Sequence, residues 1–119
     1  MFLSQLYSVV CECFVNYGMS EVSEHELACT NTREIFVWGA GFNGQIVVAH
    51  QKGFLQVQIW PETDNFDFKK DLSAVFGQSR AFKGFDQDEL RLAVYIRASV
   101  SDGEVAAAVQ MALRELFDL

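Results

Sequence analysis

The sequence predicts an α+β fold in two layers: a mostly antiparallel sheet with N- and C-terminal helices packed on one face. Three observations predict it. In the first segment Ser4, Ser8, Glu12 and Asn16 fall every fourth residue in an otherwise apolar run, a thin polar stripe along a helix. In "FLQVQIW", residues 54–60, Leu55, Val57 and Ile59 alternate with Gln56 and Gln58, the period of a half-solvated antiparallel strand. In "SDGE", residues 101–104, a capping box opens an apolar helical run. The chain has 119 residues, 50% of them hydrophobic and 11 of them Phe, so residues 1–119 form a single domain with enough apolar mass for a core.

The elements follow in order. Helix 1 is expected over residues 2–17, with Gly18 as the C′ residue that ends it. Residues 19–33 are polar and irregular, with room for a short strand at 26–30. Three β-like runs come next, at 34–38, 45–50 and 54–60; Lys52 and Gly53 suit a tight turn, and Pro61 stops the third run. Leu72, Val75 and Phe76 suggest a short helix closed by Gly77. "FKGF", residues 82–85, reads as a loop carrying two aromatics, and "RLAVYIRA", 91–98, as a strand. In the last helix Ser101 takes the N-cap, Glu104 reaches back from N3, and Val100 and Val105 make a hydrophobic staple.

Charge bounds the partners. Nine basic residues stand against 16 acidic, a net charge of −7. Such a surface repels phosphate backbones and anionic lipid, so no nucleic acid and no membrane partner is expected, and a basic protein fits better. Cys11, Cys13 and Cys29 cannot form a complete disulfide set, which points to the reducing cytoplasm. The first segment lacks a basic residue before its apolar run and is too interrupted by polar residues to span a bilayer, so neither a signal peptide nor a membrane helix is expected.

One stretch raises a sharper possibility. Residues 35–38 are β-like and lead into Gly39, Gly41 and Gly44 spaced as G-x-G-x-x-G, with Glu62 placed where a ribose-binding acid belongs. Locally this resembles the first βαβ unit of a Rossmann fold, which implies a nucleotide- or small-molecule-binding enzyme using the glycine loop. Four features oppose it. The would-be helix opens with β-branched residues, and it has only eight residues before Gly53. The would-be second strand alternates with Gln, and no further βα units follow. The favoured reading is therefore a hairpin, with 34–38 pairing antiparallel to 45–50 and the glycines serving the turn.

Other candidates are weaker. Cys11 and Cys13, two apart on a helix, cannot chelate together, so no metal is expected. Cys29 near His25 or His50 lacks any supporting pattern for a nucleophile. Phe66, Phe68, Phe76, Phe82 and Phe85 cluster within twenty residues; they either close the core or, at Phe82 and Phe85, line an aromatic groove. Helix 1 has too wide an apolar arc for one sheet face. A homodimer or higher oligomer through helix 1 is expected, with Phe2, Leu6, Val9, Val10, Cys13 and Phe14 as candidate interface residues. The competing arrangement wedges helix 1 between the sheet and the C-terminal helix.

The element order, small size and acidity are similar to those of type III secretion chaperones, which implies an acidic α+β dimer that binds protein segments; no residue motif carries this. The chain also resembles the small orphan proteins encoded in bacterial integron gene cassettes, a resemblance that implies no specific activity. The functional expectation is a small, acidic, non-enzymatic binding protein without a cofactor. It takes a protein segment or a small apolar ligand.

Overall fold

The computed structural model describes residues 1–21, 32–39, 42–51, 53–62, 68 and 70–119. The expected strand at 26–30, together with His25, Cys29, Gly41 and Phe66, lies outside the described residues. Among those described, the order is α1 (Leu3–Cys13), β1 (Gly18–Glu21), β2 (Thr32–Gly39), β3 (Phe42–Gln51), β4 (Phe54–Pro61), α2 (Leu72–Gly77), β5 (Phe82–Gln87), β6 (Leu92–Ile96) and α3 (Asp102–Phe117). The strands make one six-stranded sheet in the order β1-β2-β3-β4-β6-β5, antiparallel throughout. The α+β reading is correct, with the terminal helices on one face of an antiparallel sheet.

The alternation seen in β4 explains the core. Ile35 and Val37 of β2, Ile46 and Val48 of β3, Val57 and Ile59 of β4, and Leu92, Val94 and Ile96 of β6 all point to the same side and are buried. Leu6, Val10 and Phe14 of α1, and Val105, Ala108, Val109, Ala112, Leu113 and Leu116 of α3, join them in one cluster. The two helices lie side by side and run in the same direction. The N-terminal amino group pairs with Asp102 at 2.9 Å, Gln110 Nε2 donates to Glu12 Oε2 at 3.1 Å, and Phe14 meets Phe117 edge-on at 5.2 Å. Phe117 also contacts Phe42 and Phe68, closing the core beneath the end of α3.

Several expectations are corrected. Helix 1 ends at Cys13 rather than Tyr17, and Gly18 opens β1 instead of capping a helix. The reason is tertiary: a Cβ at Gly18 would stand 2.0 Å from Trp38 Nε1, because the indole of the neighbouring strand lies over this glycine. "FKGF" is strand, not loop. Phe82 and Phe85 are three apart yet both face the core, because a bulge near Lys83 inserts one extra residue. They pack on Phe76 of α2, each at 5.3 Å between centroids, so no aromatic groove forms there. Ser101 caps α3 by accepting from the Glu104 N–H at 3.3 Å, but the Glu104 carboxylate does not reach back. It is held by Arg80 through two bonds, at 2.8 and 3.0 Å.

Of the residues expected at an interface, Leu6, Val10 and Phe14 are wholly buried in this chain's own core, and Val9 and Cys13 pack partly against it. Phe2, ahead of α1, is 78% exposed. Helix 1 is thus covered by the sheet on one side and flanked by α3 on another. No helix among the described residues is long and apolar enough to cross a membrane.

Candidate functional site

The glycine stretch is a hairpin. β2 and β3 pair from Thr32↔Ala49 to Gly39↔Phe42, and the backbone after the glycines is strand where a nucleotide-binding loop would need a helix N-terminus. Gly39 has φ +126°, which a residue with a side chain rarely adopts. Gly44 lies inside β3, not in the turn. A Cβ there would meet Trp60 O at 2.5 Å and the Phe42 ring at 2.8 Å. Its spacing from Gly39 therefore reflects packing, and strand backbone at Gly39 and Gly44 favours the hairpin over the phosphate-loop alternative with Gly39, Gly41, Gly44 and Glu62 as ligands. Glu62 follows β4, where its N–H donates to Asn43 O at 2.9 Å.

The helix-free side of the sheet carries the most distinctive chemistry. The register sets out its rows. Trp38 of β2 sits between Gly18 of β1 and Asn43 of β3. The next row reads Phe36, Gln45, Trp60, and the next Glu34, Val47, Gln58, Ala93, Asp86. The fourth reads Thr32, Ala49, Gln56, Tyr95. Phe36 is 42% and Trp38 47% exposed, unusual for large aromatics on a sheet.

Beside them the glutamines of β4 are buried, Gln56 being 3% and Gln58 7% exposed. Each has one small residue beside it, Ala49 of β3 next to Gln56 and Ala93 of β6 next to Gln58. Their amides form a directed chain. Trp60 Nε1 donates to Gln58 Oε1 at 3.0 Å, Gln58 Nε2 to Gln56 Oε1 at 2.9 Å, and Gln56 Nε2 to the Gln51 carbonyl at 3.2 Å. Burial is offset at each step by a bond, and the chain holds the Trp60 ring in place. Gln45 Nε2 donates to Glu34 Oε2.

Two adjoining clefts open on this face. One, of about 400 Å³, is lined by Phe36, Trp38, Asn43, Gln45, Trp60 and Glu62, together with Val37, Gly44 and Pro61. The other, of about 330 Å³, is lined by Thr32, Glu34, Gln45, Val47, Gln51, Gln58 and Trp60. Gln45 and Trp60 belong to both. By contrast, the space between sheet and α3 amounts to about 10 Å³, room for roughly one water and no ligand.

The remaining candidates do not assemble. His50 lines a small cleft of about 100 Å³ with Leu55, Arg97 and Val105, and no cysteine among the described residues lines it. Cys11 and Cys13 are thiols, not a disulfide. Burial pushes the Cys13 thiol up to about 11, so it stays protonated and inert at neutral pH. Among the described residues, no three of His, Cys, Asp and Glu come together as metal ligands. Sequence reasoning missed the open face. Its signal was the aromatics and glutamines at alternate positions of β2 and β4, two runs that the expected hairpins already set on either side of β3.

These features define a two-layer α+β protein with an aromatic, amide-lined open sheet. Comparison of the chain with protein-family models, curated proteins and solved structures found no match.

Proposed function

We propose that this chain is a non-enzymatic binding protein whose helix-free sheet face receives a segment of a partner protein. The observation that carries this is the pair of adjoining clefts sharing Gln45 and Trp60, with Phe36 and Trp38 half exposed beside them. Exposed aromatics on a rigid sheet, rimmed by polar residues, suit a recognition surface. The clefts are shallow and adjoin along the strands, which favours an extended segment over a compact ligand. Among the described residues the space between the sheet and α3 is too small for a ligand, which favours this face for a small apolar one as well. Among the described residues the clefts are lined by aromatics, amides and two carboxylates, which suits binding more than nucleophilic catalysis. The thiols at Cys11 and Cys13 favour a cytoplasmic setting. Self-association belongs to the same proposal, as does kinship with other small cassette-encoded proteins.

Both tryptophans of the chain, Trp38 and Trp60, line the proposed site, so intrinsic fluorescence reports directly on it. The test is to pan a random peptide library against the protein and titrate selected peptides while recording tryptophan emission. Selected peptides should shift the emission and lose most of their affinity for Trp60→Ala with the fold intact. Peptides that bind Trp60→Ala equally well would remove this face from consideration.

A further inference from the structure

The charge around the clefts narrows the partner. This inference rests on the segment-binding reading above. Their charged lining residues are Glu34 and Glu62, and no basic residue lines either cleft among the described residues. The chain as a whole carries −7. Phe36 on β2 stands opposite Trp60 on β4 across Gln45 of β3, while the Trp38 indole leans over Gly18 of β1 at the edge of the same cleft. Neighbouring strands lie roughly 4.8 Å apart, so these aromatic walls stand about 10 Å apart, a slot for one flat or slender group between two π surfaces. The indole N–H of Trp60 is already committed to Gln58.

This face already uses its aromatics to hold cations. Arg91 lies 5.8 Å from the centroid of the Trp60 ring, and Lys83 Nζ lies 4.2 Å from that of Phe54. Phe36 and Trp38 are the large exposed aromatics of the face, and none of the cation–ring contacts among the described residues falls on them. A π surface attracts a cation through its quadrupole, and a guanidinium stacks on it while still donating hydrogen bonds to a carboxylate.

We infer that the cleft between Phe36, Trp38 and Trp60 receives an arginine side chain of a basic, extended protein segment. The guanidinium lies between the aromatic walls and donates to Glu62 at the mouth. A segment running along β3 brings same-side residues two apart into the first and second clefts, since the strand repeat is about 7 Å for two residues. The second of these meets Glu34. The recognised pattern is therefore arginine at alternate positions.

The probes are three blocked pentapeptides alternating with valine: acetyl-Arg-Val-Arg-Val-Arg-amide, its lysine counterpart and its citrulline counterpart. Citrulline keeps the shape and removes the charge. Titrations at physiological salt, read by tryptophan emission, should show saturable binding of the arginine peptide, weaker binding of the lysine peptide, and at least tenfold weaker binding of the citrulline peptide. Glu62→Gln and Phe36→Ala should each weaken the arginine peptide several-fold. Glu89→Gln, which removes the same charge from an exposed residue outside both clefts, should not. Circular dichroism melts confirm that each variant is folded. Equal binding of the citrulline peptide would overturn the inference and leave the segment-binding reading standing. Equal weakening by Glu89→Gln would also overturn it, by reducing the effect to diffuse charge attraction. No saturation below millimolar would end the arginine assignment, and failure of the library as well would end both.

Discussion

Gly18 and Gly44 are the residues on which the open face most depends, and they differ in what stands in the way of a side chain. At Gly44 an added Cβ meets backbone, Trp60 O at 2.5 Å and Pro61 Cα at 3.0 Å, which cannot move without parting β3 from β4. Gly44→Ala should cost about 1–3 kcal/mol, the usual range for overpacking, measured by urea denaturation. A variant as stable as the parent would show that the strands can give. At Gly18 the obstacle is the half-exposed Trp38 indole, which can swing away. Gly18→Ala should leave stability almost unchanged while altering Trp38 fluorescence, so the two glycines separate fold from site. The Cys13 thiol, pushed up to about 11 by burial, offers an independent check on helix 1. At pH 8 its alkylation by iodoacetamide should run on the order of a hundredfold slower than that of an unperturbed thiol, as peptide mapping over time would reveal.

At the scale of elements, α3 shows how a local signal is rewired by tertiary contact. Ser101 caps the helix as its sequence promises, and Ser101→Ala should cost about 1 kcal/mol, near 4 °C in a thermal melt by rough scaling. Its partner in the box behaves otherwise, because Arg80, just ahead of β5, takes both oxygens of Glu104. That hydrogen bond holds the Glu104 carboxyl below its ordinary value of 4.5. The unfolded chain has the higher value, so the pair stabilises the fold above 4.5 and its contribution fades as pH falls through the lower folded value. Melting temperatures across pH should therefore differ most between the parent and Glu104→Gln at neutral pH and converge in acid. A difference that persists unchanged at the lowest pH would assign the effect to something other than the ion pair. In β5 the wrong reading as a loop has a clear cause. Phe82 and Phe85 break the two-residue period, and only the bulge against β6 puts both on one face.

For the whole molecule, the question is how its outer surface is completed. The apolar breadth of helix 1 is largely absorbed by the sheet below and α3 alongside, which wholly bury Leu6, Val10 and Phe14. Self-association through helix 1, as we propose it, must then rely on the outer residues, of which Phe2 is the most exposed. Phe2→Glu should convert a dimer to a monomer without lowering stability, as followed by sedimentation equilibrium. A parent protein that already sediments at 13.4 kDa at tens of micromolar would dismiss the dimer altogether.

What the sequence determined by itself is local in origin. The polar stripe of α1, the alternation of β4, the Ser101 cap and the hairpin around Gly39 depend on neighbours within a few residues, so those elements and the fold class were legible, whereas β1 and β5 were not. The site was not. Phe36 comes opposite Trp60 only because β3 pairs with both β2 and β4 in one register, and Gln58 lies beside Ala93 only because β6, from beyond α2 and β5, pairs with β4. Cross-strand register is a property of the assembled sheet. A one-residue slip would send every one of these side chains to the opposite face, so the tertiary structure alone decided that the aromatics, the amides and the two carboxylates share one open surface.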